Sequence, residues 1–271
     1  MQIGIIGLGR IGLGVARLAL SAGHQVAAYD IRQLPEGELP PGLKMRESAA
    51  AVADASDATM IAVYDDAQVM TALAGDEGVL GVRRPGHVVA VLSTVEVSTV
   101  HRAGALAGSM GAALLDCGVS AGVAFSHGAK LAVAIGGDRR AVEHIRPALE
   151  SFGDPVVYMG ELGSGMTAKL ARNLLHYCSG LVDREAALLA AQAGVAVGSF
   201  IEFVRGAELK GGGHMRYVTP APDGGIEEPG LPPARYAVKD LHAALALARE
   251  LRLSLPAATL AEQIFREGGA S

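Results

Sequence analysis

Short apolar runs alternate with helical patterns through the first 160 residues of the chain. Each run is short enough for a buried strand, and the stretches between the runs carry apolar residues at helical spacing. Strand, helix and strand in this order predict a largely parallel sheet with helices on both faces. The predicted strands cover residues 2–6, 25–29, 59–63, 87–92, 114–116, 130–135 and 156–158.

The alternation stops near Gly160, and from there helix follows helix. We therefore place a domain boundary there, which gives an α/β domain at 1–160 and an all-helical domain at 161–271. Between the helical patterns, residues 206–235 are rich in glycine and proline and predict a loop or lid. The predicted helices of the second domain cover residues 163–193, 197–206, 234–251 and 257–267.

A glycine-rich turn follows the first strand directly and carries the spacing Gly-x-Gly-x-x-Gly. Such a turn allows a pyrophosphate to approach the backbone at the N-terminus of the next helix. The second strand ends at Asp30, where a carboxylate can accept hydrogen bonds from a ribose. The order of these features predicts a doubly wound Rossmann domain that binds a nicotinamide dinucleotide.

Asp30 favours NAD, because a carboxylate would repel a 2′-phosphate, whereas Arg32 leaves NADP open. Ligands of such sheets bind at the carboxyl ends of the strands, so the ends of the third and fourth strands are also candidates. Ser93 or Thr94 could equally cap the following helix. The predicted cofactor-binding residues are Gly7, Leu8, Gly9, Arg10, Ile11, Gly12, Asp30, Ile31, Arg32, Val63, Tyr64, Ser93 and Thr94.

Two further segments carry candidate chemistry. Residues 116–122 combine glycines with Ser120 and predict a loop whose amides and hydroxyl suit a carboxylate. In the helix after Gly165, Lys169 and Asn173 stand four residues apart and therefore share one face. Taken alone, Lys169 would be interpreted as a solvent-exposed helix lysine. Because the same chain carries a nucleotide-binding motif, a role of Lys169 in proton transfer is favoured.

Composition narrows the class of protein. The formal net charge of −5 argues against general affinity for nucleic acid or an anionic membrane. The two cysteines are too few for a disulfide scaffold, which favours a reducing cytoplasm, and no metal-ligand spacing is present. No stretch of about twenty residues lacks charged residues, so the sequence predicts no membrane span.

With these motifs in hand, the chain resembles the β-hydroxyacid dehydrogenases, the family of 3-hydroxyisobutyrate dehydrogenase, tartronate semialdehyde reductase and the 6-phosphogluconate dehydrogenases. The resemblance rests on the glycine motif, the segment 116–122, Gly163-Ser164-Gly165 with Lys169 and Asn173, and Lys239-Asp240-Leu241. It implies that Lys169 and Asn173 are catalytic and that Ser120, Ala121 and Gly122 hold the substrate. It also implies that Lys239 lies near substrate and cofactor, and that the protein forms a homodimer or homotetramer.

The sequence departs from the family pattern at four places. Gly118 replaces a proline, Ala121 a glycine and Arg10 a methionine, and residues 206–235 differ from the usual helical stretch. These departures leave the small anionic substrate undefined.

The expected reaction is hydride transfer between NAD, or NADP, and a short 3-hydroxy acid or its semialdehyde. Two alternatives stay open. One is imine reduction, although imine reductases generally replace the lysine that is kept here as Lys169. The other is a non-catalytic protein that binds NAD(P) without turnover.

Overall fold

The structure, a computed structural model, describes residues 1–82, 85–120, 125, 128–211 and 234–268. For a few helical residues among these, Lys239 included, only the backbone is described. The chain divides into two compact units, Met1–Asn173 and Leu174–Ser271. The predicted boundary between residues 160 and 161 stays a prediction.

In the first unit, the described residues form one sheet of eight strands in the order β3-β2-β1-β4-β5-β6-β7-β8. All neighbouring strands are parallel except β6 and β7, which are antiparallel. The α/β class predicted from the apolar runs is confirmed. The strands are β1 Gln2–Ile6, β2 Gln25–Tyr29, β3 Lys44–Met45, β4 Ala58–Ile61, β5 Val88–Val91, β6 Ala113–Ser120, β7 Leu131–Gly136 and β8 Gly153–Gly160.

Two apolar layers cover the two faces of this sheet. One contains Ile3, Ile5 and Phe152, and the other contains Ile61, Val89 and Val91, all of them at most a few per cent exposed. Successive residues of a strand point to opposite faces, so buried runs such as Val88–Val91 supply both layers. The described helices are α1 Arg10–Ser21, α2 Ala49–Asp54, α3 Asp66–Ala74, α4 Val97–Ser109, α5 Arg139–Phe152, α6 Ser164–Gln192, α7 Val197–Gly211, α8 Ala234–Glu250 and α9 Pro256–Gly268.

The described residues of the second unit form helices. It contains the part of α6 beyond Asn173 together with α7, α8 and α9. Glu185 of α6 is buried and accepts hydrogen bonds from the backbone amides of Ala257 (2.9 Å) and Ala258 (3.1 Å). These amides belong to the first turn of α9, so Glu185 satisfies donors that the helix itself leaves unpaired.

Three segments differ from the sequence-based expectation. No strand was predicted between residues 29 and 59, yet β3 pairs with the open edge of β2. Residues 206–211 complete α7, because Ala207, Glu208 and Leu209 favour helix, while 212–233 lie outside the described residues. Segment 116–120 is not a loop but the second half of β6.

Strand β6 continues because β7 offers it an antiparallel partner. The register joins Asp116 to Gly136 and Ser120 to Ala132. Gly118 lies in the middle of this pairing, with helix α6 against it. A Cβ atom at position 118 would collide with Cβ of Lys169 and would lie 2.6 Å from the carbonyl oxygen of Gly165. Glycine is therefore required for the close approach of α6 to β6.

We expect Gly118→Ala to destabilise the protein by about 1–3 kcal/mol, because the added methyl group overpacks the contact between β6 and α6. Urea unfolding measures this change in the free energy of unfolding. The control is Gly108→Ala in α4, where an added Cβ meets nothing within 4 Å. That variant should gain about 0.5–1 kcal/mol from helix propensity. Equal stability of both variants would contradict the packing that we describe.

Candidate active site

A cleft of about 700 Å³ opens at the carboxyl ends of β1, β2, β4 and β5. The strands β2 and β3 lie on one side of β1, and β4 and β5 lie on its other side. The strand order therefore reverses at β1. Open α/β sheets bind their ligands at such a switch point. Eleven of the predicted cofactor residues line the cleft: Gly7, Gly9, Arg10, Ile11, Asp30, Ile31, Arg32, Val63, Tyr64, Ser93 and Thr94.

The glycine turn has the geometry that a pyrophosphate needs. Gly7 has φ +91°, a conformation that L side chains rarely adopt, and a Cβ there would lie 2.5 Å from the carbonyl oxygen of Ala62. A Cβ at Gly9 would meet nothing within 4 Å, so the space in front of this residue is open. Helix α1 begins at Arg10 and directs its free N–H groups into this space. The turn therefore fits the phosphates of a dinucleotide.

Two of the predicted cofactor residues with described side chains do not line the cleft. Leu8 is buried, and its backbone amide donates to Oδ2 of Asp30 at 2.7 Å. Gly12 is also buried, in the first turns of α1, where a Cβ would collide with the carbonyl oxygen of Gly7. Both residues support the glycine turn from its buried side and do not face the cleft. The sequence motif alone cannot distinguish such a supporting residue from one that contacts the ligand.

Asp30 and Arg32 form an ion pair at the mouth of the cleft. Nε and Nη2 of Arg32 donate to the two carboxylate oxygens of Asp30 at 2.9 and 3.0 Å, and the backbone amide of Arg32 donates at 2.8 Å. Burial alone would raise the pKa of Asp30, but these bonds and the amide of Leu8 hold its pKa below the ordinary value. The side chain of Arg32 is 59% exposed and that of Asp30 only 6%. Asp30 is therefore an ionised carboxylate already engaged by Arg32.

Ser93 is held by the backbone of the neighbouring strand end. Its hydroxyl accepts from the amide of Val63 at 2.9 Å and donates to the carbonyl of Val63 at 2.8 Å. The capping role considered for Ser93 or Thr94 is wrong, because Glu96 is the N-cap residue of α4. Thr94 lines the cleft.

Sequence reasoning missed one wall of the cleft. Gln68, Thr71, Ala72 and Gly75 line it from α3 and the turn that follows. Their spacing of three, four and seven residues from Gln68 is a helical face and could have indicated them. The other unpredicted lining residues are Ile6, Tyr29, Ala49, Ala62, Asp76, Glu77 and Gly78.

Lys169 and Ser120 meet at the end of β6. Nζ of Lys169 donates to Oγ of Ser120 at 3.3 Å, and both side chains are partly buried. Burial lowers the pKa of Lys169 below its ordinary value, and the nearby positive charge of Arg172 lowers the pKa further. Since β5 and β6 are parallel, Ser120 lies toward the same sheet edge as the cleft. A partly desolvated amine beside a hydroxyl, with its pKa lowered in this way, can take or give a proton more readily than an ordinary lysine.

Asn173 follows Lys169 by one helical turn and is partly buried. Its Oδ1 accepts a hydrogen bond from Nη1 of Arg172 at 3.4 Å. Ala121 and Gly122 lie outside the described residues. Lys239 lies in α8, and its side chain is not described.

A buried carboxylate fixes the helix that carries Lys169. Asp116 of β6 is fully buried, and its two oxygens accept from the amides of Gly163 (2.8 Å) and Met166 (2.6 Å). These amides belong to the start of α6, where the helix has no internal acceptors for them. The negative charge also faces the positive end of the helix dipole. Asp116 therefore joins the strand that bears Ser120 to the helix that bears Lys169.

The neighbouring Cys117 is fully buried, and burial raises the pKa of its thiol. A thiol in such surroundings is unreactive. Among the described residues, no group of three or more His, Cys, Asp or Glu side chains could hold a metal ion. Within that same part of the chain, no helix is long and apolar enough to cross a membrane.

Comparison with known proteins gives matches over both units. Residues 2–160 match the model of the NAD-binding domain of 6-phosphogluconate dehydrogenase, and residues 163–271 match that of the NAD-binding region of NADP-dependent 3-hydroxyisobutyrate dehydrogenase. The 2-hydroxy-3-oxopropionate reductase of Escherichia coli is 29% identical, over 98% of this chain and 90% of that protein.

Solved structures agree with these matches. The 3-hydroxyisobutyrate dehydrogenase of Salmonella typhimurium has a TM-score of 0.67 at 26% identity and covers 100% of this chain and 94% of its own. A reductive aminase from Aspergillus terreus has a TM-score of 0.80 at 19% identity, over 98% of this chain and 92% of its own. At that identity the second likeness shows the fold alone.

We expect Asp116→Ala to lower the free energy of unfolding by about 1–3 kcal/mol, because two buried amides lose their acceptor. Urea unfolding measures the loss. The control is Asp138→Ala, since Asp138 caps α5 from an exposed position through a single amide, that of Ala141. That variant should lose only about 1 kcal/mol. A smaller loss for Asp116→Ala than for the control would show that Asp116 does not anchor α6.

Proposed function

We infer that this chain, which belongs to the β-hydroxyacid dehydrogenase family, is an NAD(P)-dependent oxidoreductase that transfers a hydride between its nicotinamide cofactor and a small 3-hydroxy acid or its semialdehyde. The observation that carries this proposal is the contact of Lys169 with Ser120 at the sheet edge where the cofactor cleft opens.

The residues of the chain divide the reaction between them. In the oxidative direction, Lys169 accepts the proton of the substrate hydroxyl. The nicotinamide cofactor that the cleft would hold would accept the hydride from the carbon bearing that hydroxyl, so that a carbonyl group forms. In the reverse direction, Lys169 returns that proton. Ser120 and the backbone of Ala121 and Gly122 hold the carboxylate, and Asn173 donates to the reacting oxygen, where negative charge develops. We further propose that Lys239 contacts substrate and cofactor.

Lys169→Met should lower kcat/KM by about 10²–10⁴-fold, the usual contribution of a positioned acid or base. The assay follows absorbance at 340 nm with 3-hydroxyisobutyrate or tartronate semialdehyde, and with a cyclic imine for contrast. Lys130→Met is the control, because Lys130 is exposed and donates to the carbonyl of Glu150 in the same unit. Full activity in a folded Lys169→Met protein would refute the assignment, and turnover of the imine alone would indicate an imine reductase.

The pH profile of the wild type gives an independent check on Lys169. Oxidation requires the neutral amine, so kcat/KM should rise with pH through the pKa of Lys169. Because burial and Arg172 lower that pKa, the rise should occur below pH 10.5. The rising limb should be absent from the residual activity of Lys169→Met.

We propose NAD as the preferred cofactor, with NADP as a weaker alternative. The ionised Asp30 would repel a 2′-phosphate, and the adjacent Arg32 partly offsets that repulsion. The expected result is a higher kcat/KM with NADH than with NADPH. Arg32→Gln should lower the value for NADPH by about tenfold or more, since one charge-assisted hydrogen bond is lost, and should spare NADH.

The control for Arg32 is Arg17→Gln, because Arg17 is an exposed cation of α1 that bonds to the carbonyl of Glu38 and does not line the cleft. It should change neither value. A wild-type preference for NADPH would reverse the proposed order of the two cofactors.

We also propose a homodimer or homotetramer. Leu174 (67% exposed) and Tyr177 (69%) of α6 and Phe203 (72%) of α7 support this, since large apolar side chains at such exposure often mark an interface. Light scattering should give two or four times the chain mass of 27.7 kDa. Tyr177→Glu should lower that mass, whereas Leu106→Glu in α4 should not. A monomeric wild type would contradict the proposal.

The expected compartment is the cytoplasm. Both cysteines are free thiols, and Cys178 is exposed, which suits a reducing environment.

A further inference from the structure

Arg172 lies beside the proposed catalytic pair on helix α6. It follows Lys169 by three residues and precedes Asn173 by one. At about 100° per residue, Arg172 and Asn173 flank Lys169 on either side, about 60° and about 40° around the helix. The side chain of Arg172 is exposed, whereas Lys169 and Asn173 are partly buried. A guanidinium group thus stands at the outer edge of this pair.

The contact between Arg172 and Asn173 sets the direction of the amide. Nη1 of Arg172 donates to Oδ1 of Asn173 at 3.4 Å. A guanidinium group can only donate, so it must face the oxygen of the amide. The Nδ2 group of Asn173 is then directed away from Arg172, where it can donate to a substrate oxygen. One of the five N–H donors of the guanidinium suffices for this contact.

The charges on this part of α6 are unbalanced. Lys169 and Arg172 are like charges three residues apart on one helix, an arrangement that is mildly destabilising. The chain has no acidic residue between Glu161 and Asp183. The carboxylate of Asp116 already accepts the amides of Gly163 and Met166. In the described part of the chain, the partners of Lys169 and Arg172 are a hydroxyl and an amide oxygen.

The sequence around Arg172 differs from that around an ordinary solvent-exposed helix arginine. Helix arginines commonly pair with an acid three or four residues away. At those positions Arg172 has Ala168, Lys169, Leu175 and His176. The arrangement adds a positive charge next to an amine whose burial already disfavours its charged form. A bound anion would offset this cost.

We propose that Arg172 binds a second anionic group of the substrate, so that the substrate is a 3-hydroxy acid, or its semialdehyde, with two carboxylates. This inference rests on the proposed function, in which Ser120 and its neighbours hold the first carboxylate and Lys169 faces the reacting oxygen. Arg172 then determines which acid is accepted, and its bond to Asn173 presents the amide N–H to that oxygen.

The test compares matched substrates that differ by one carboxylate. The shorter pair is 2-(hydroxymethyl)succinate and 2-(hydroxymethyl)butanoate, and the longer pair is 2-(hydroxymethyl)glutarate and 2-(hydroxymethyl)pentanoate. In each pair a methyl group replaces the second carboxylate. The kcat/KM for oxidation is measured for the wild type, Arg172→Gln and Arg172→Lys, and thermal unfolding confirms that each variant is folded. Arg184→Gln is the control, an exposed cation of α6 that lies twelve residues farther along the sequence.

In at least one pair, the wild type should favour the dicarboxylate by about 10-fold to 100-fold, the value of one charge-assisted hydrogen bond. Arg172→Gln should abolish this ratio, Arg172→Lys should keep part of it, and Arg184→Gln should keep all of it. A wild-type ratio near one in both pairs, or a ratio that survives Arg172→Gln, would overturn the inference and leave the proposed function intact. If neither NAD nor NADP supports oxidation of any of the four acids, 3-hydroxyisobutyrate is tested next, to separate this inference from the proposed function. Oxidation of 3-hydroxyisobutyrate would reject the dicarboxylate substrate alone, and a lack of oxidation would reject the hydroxy-acid function as well.

Discussion

The buried carboxylate of Asp116 is the interaction on which the candidate active site depends. A carboxylate without exposure to water is stable only where hydrogen-bond donors replace its hydration. Here the donors are the amides of Gly163 and Met166, which the start of α6 cannot satisfy from within. The carboxylate therefore needs the amides as donors, and the amides need the carboxylate as an acceptor. This contact fixes the start of α6 against β6, and Lys169 follows Met166 by only three residues along that helix.

The packing of α6 against β6 also helps to explain why the segment around Gly118 is not the loop that its composition predicts. Glycines and a serine without an alternating pattern are typical of a turn. The structure instead contains a strand, because β7 supplies an antiparallel partner and α6 requires a position without a side chain. Both causes come from segments distant in sequence. By contrast, β1 and β2 were predicted to the residue, since an apolar run and the glycine turn define them locally.

The same distinction applies to the candidate site. The glycine turn, Asp30 and the ends of β4 and β5 could be placed from the sequence, because a parallel sheet brings the carboxyl ends of its strands to one edge. The proximity of Lys169 and Ser120 was expected only from the family resemblance, and the structure brings the two side chains together. The anchoring role of Asp116 was not expected, because its partners lie 47 and 50 residues away. Nothing in the sequence pattern of β6 indicates them.

Asp30 shows why the cofactor is harder to assign than the fold. The sequence presents Asp30 as an acceptor for ribose hydroxyls, but a carboxylate offers about four acceptor positions. In the structure the amide of Leu8, the amide of Arg32 and two guanidinium donors of Arg32 engage it. A ribose hydroxyl must therefore displace Arg32, whose side chain is the exposed member of the pair. Once displaced, the same guanidinium is available to a 2′-phosphate. The choice between NAD and NADP thus depends on the strength of one ion pair, which the identities of the two residues do not determine.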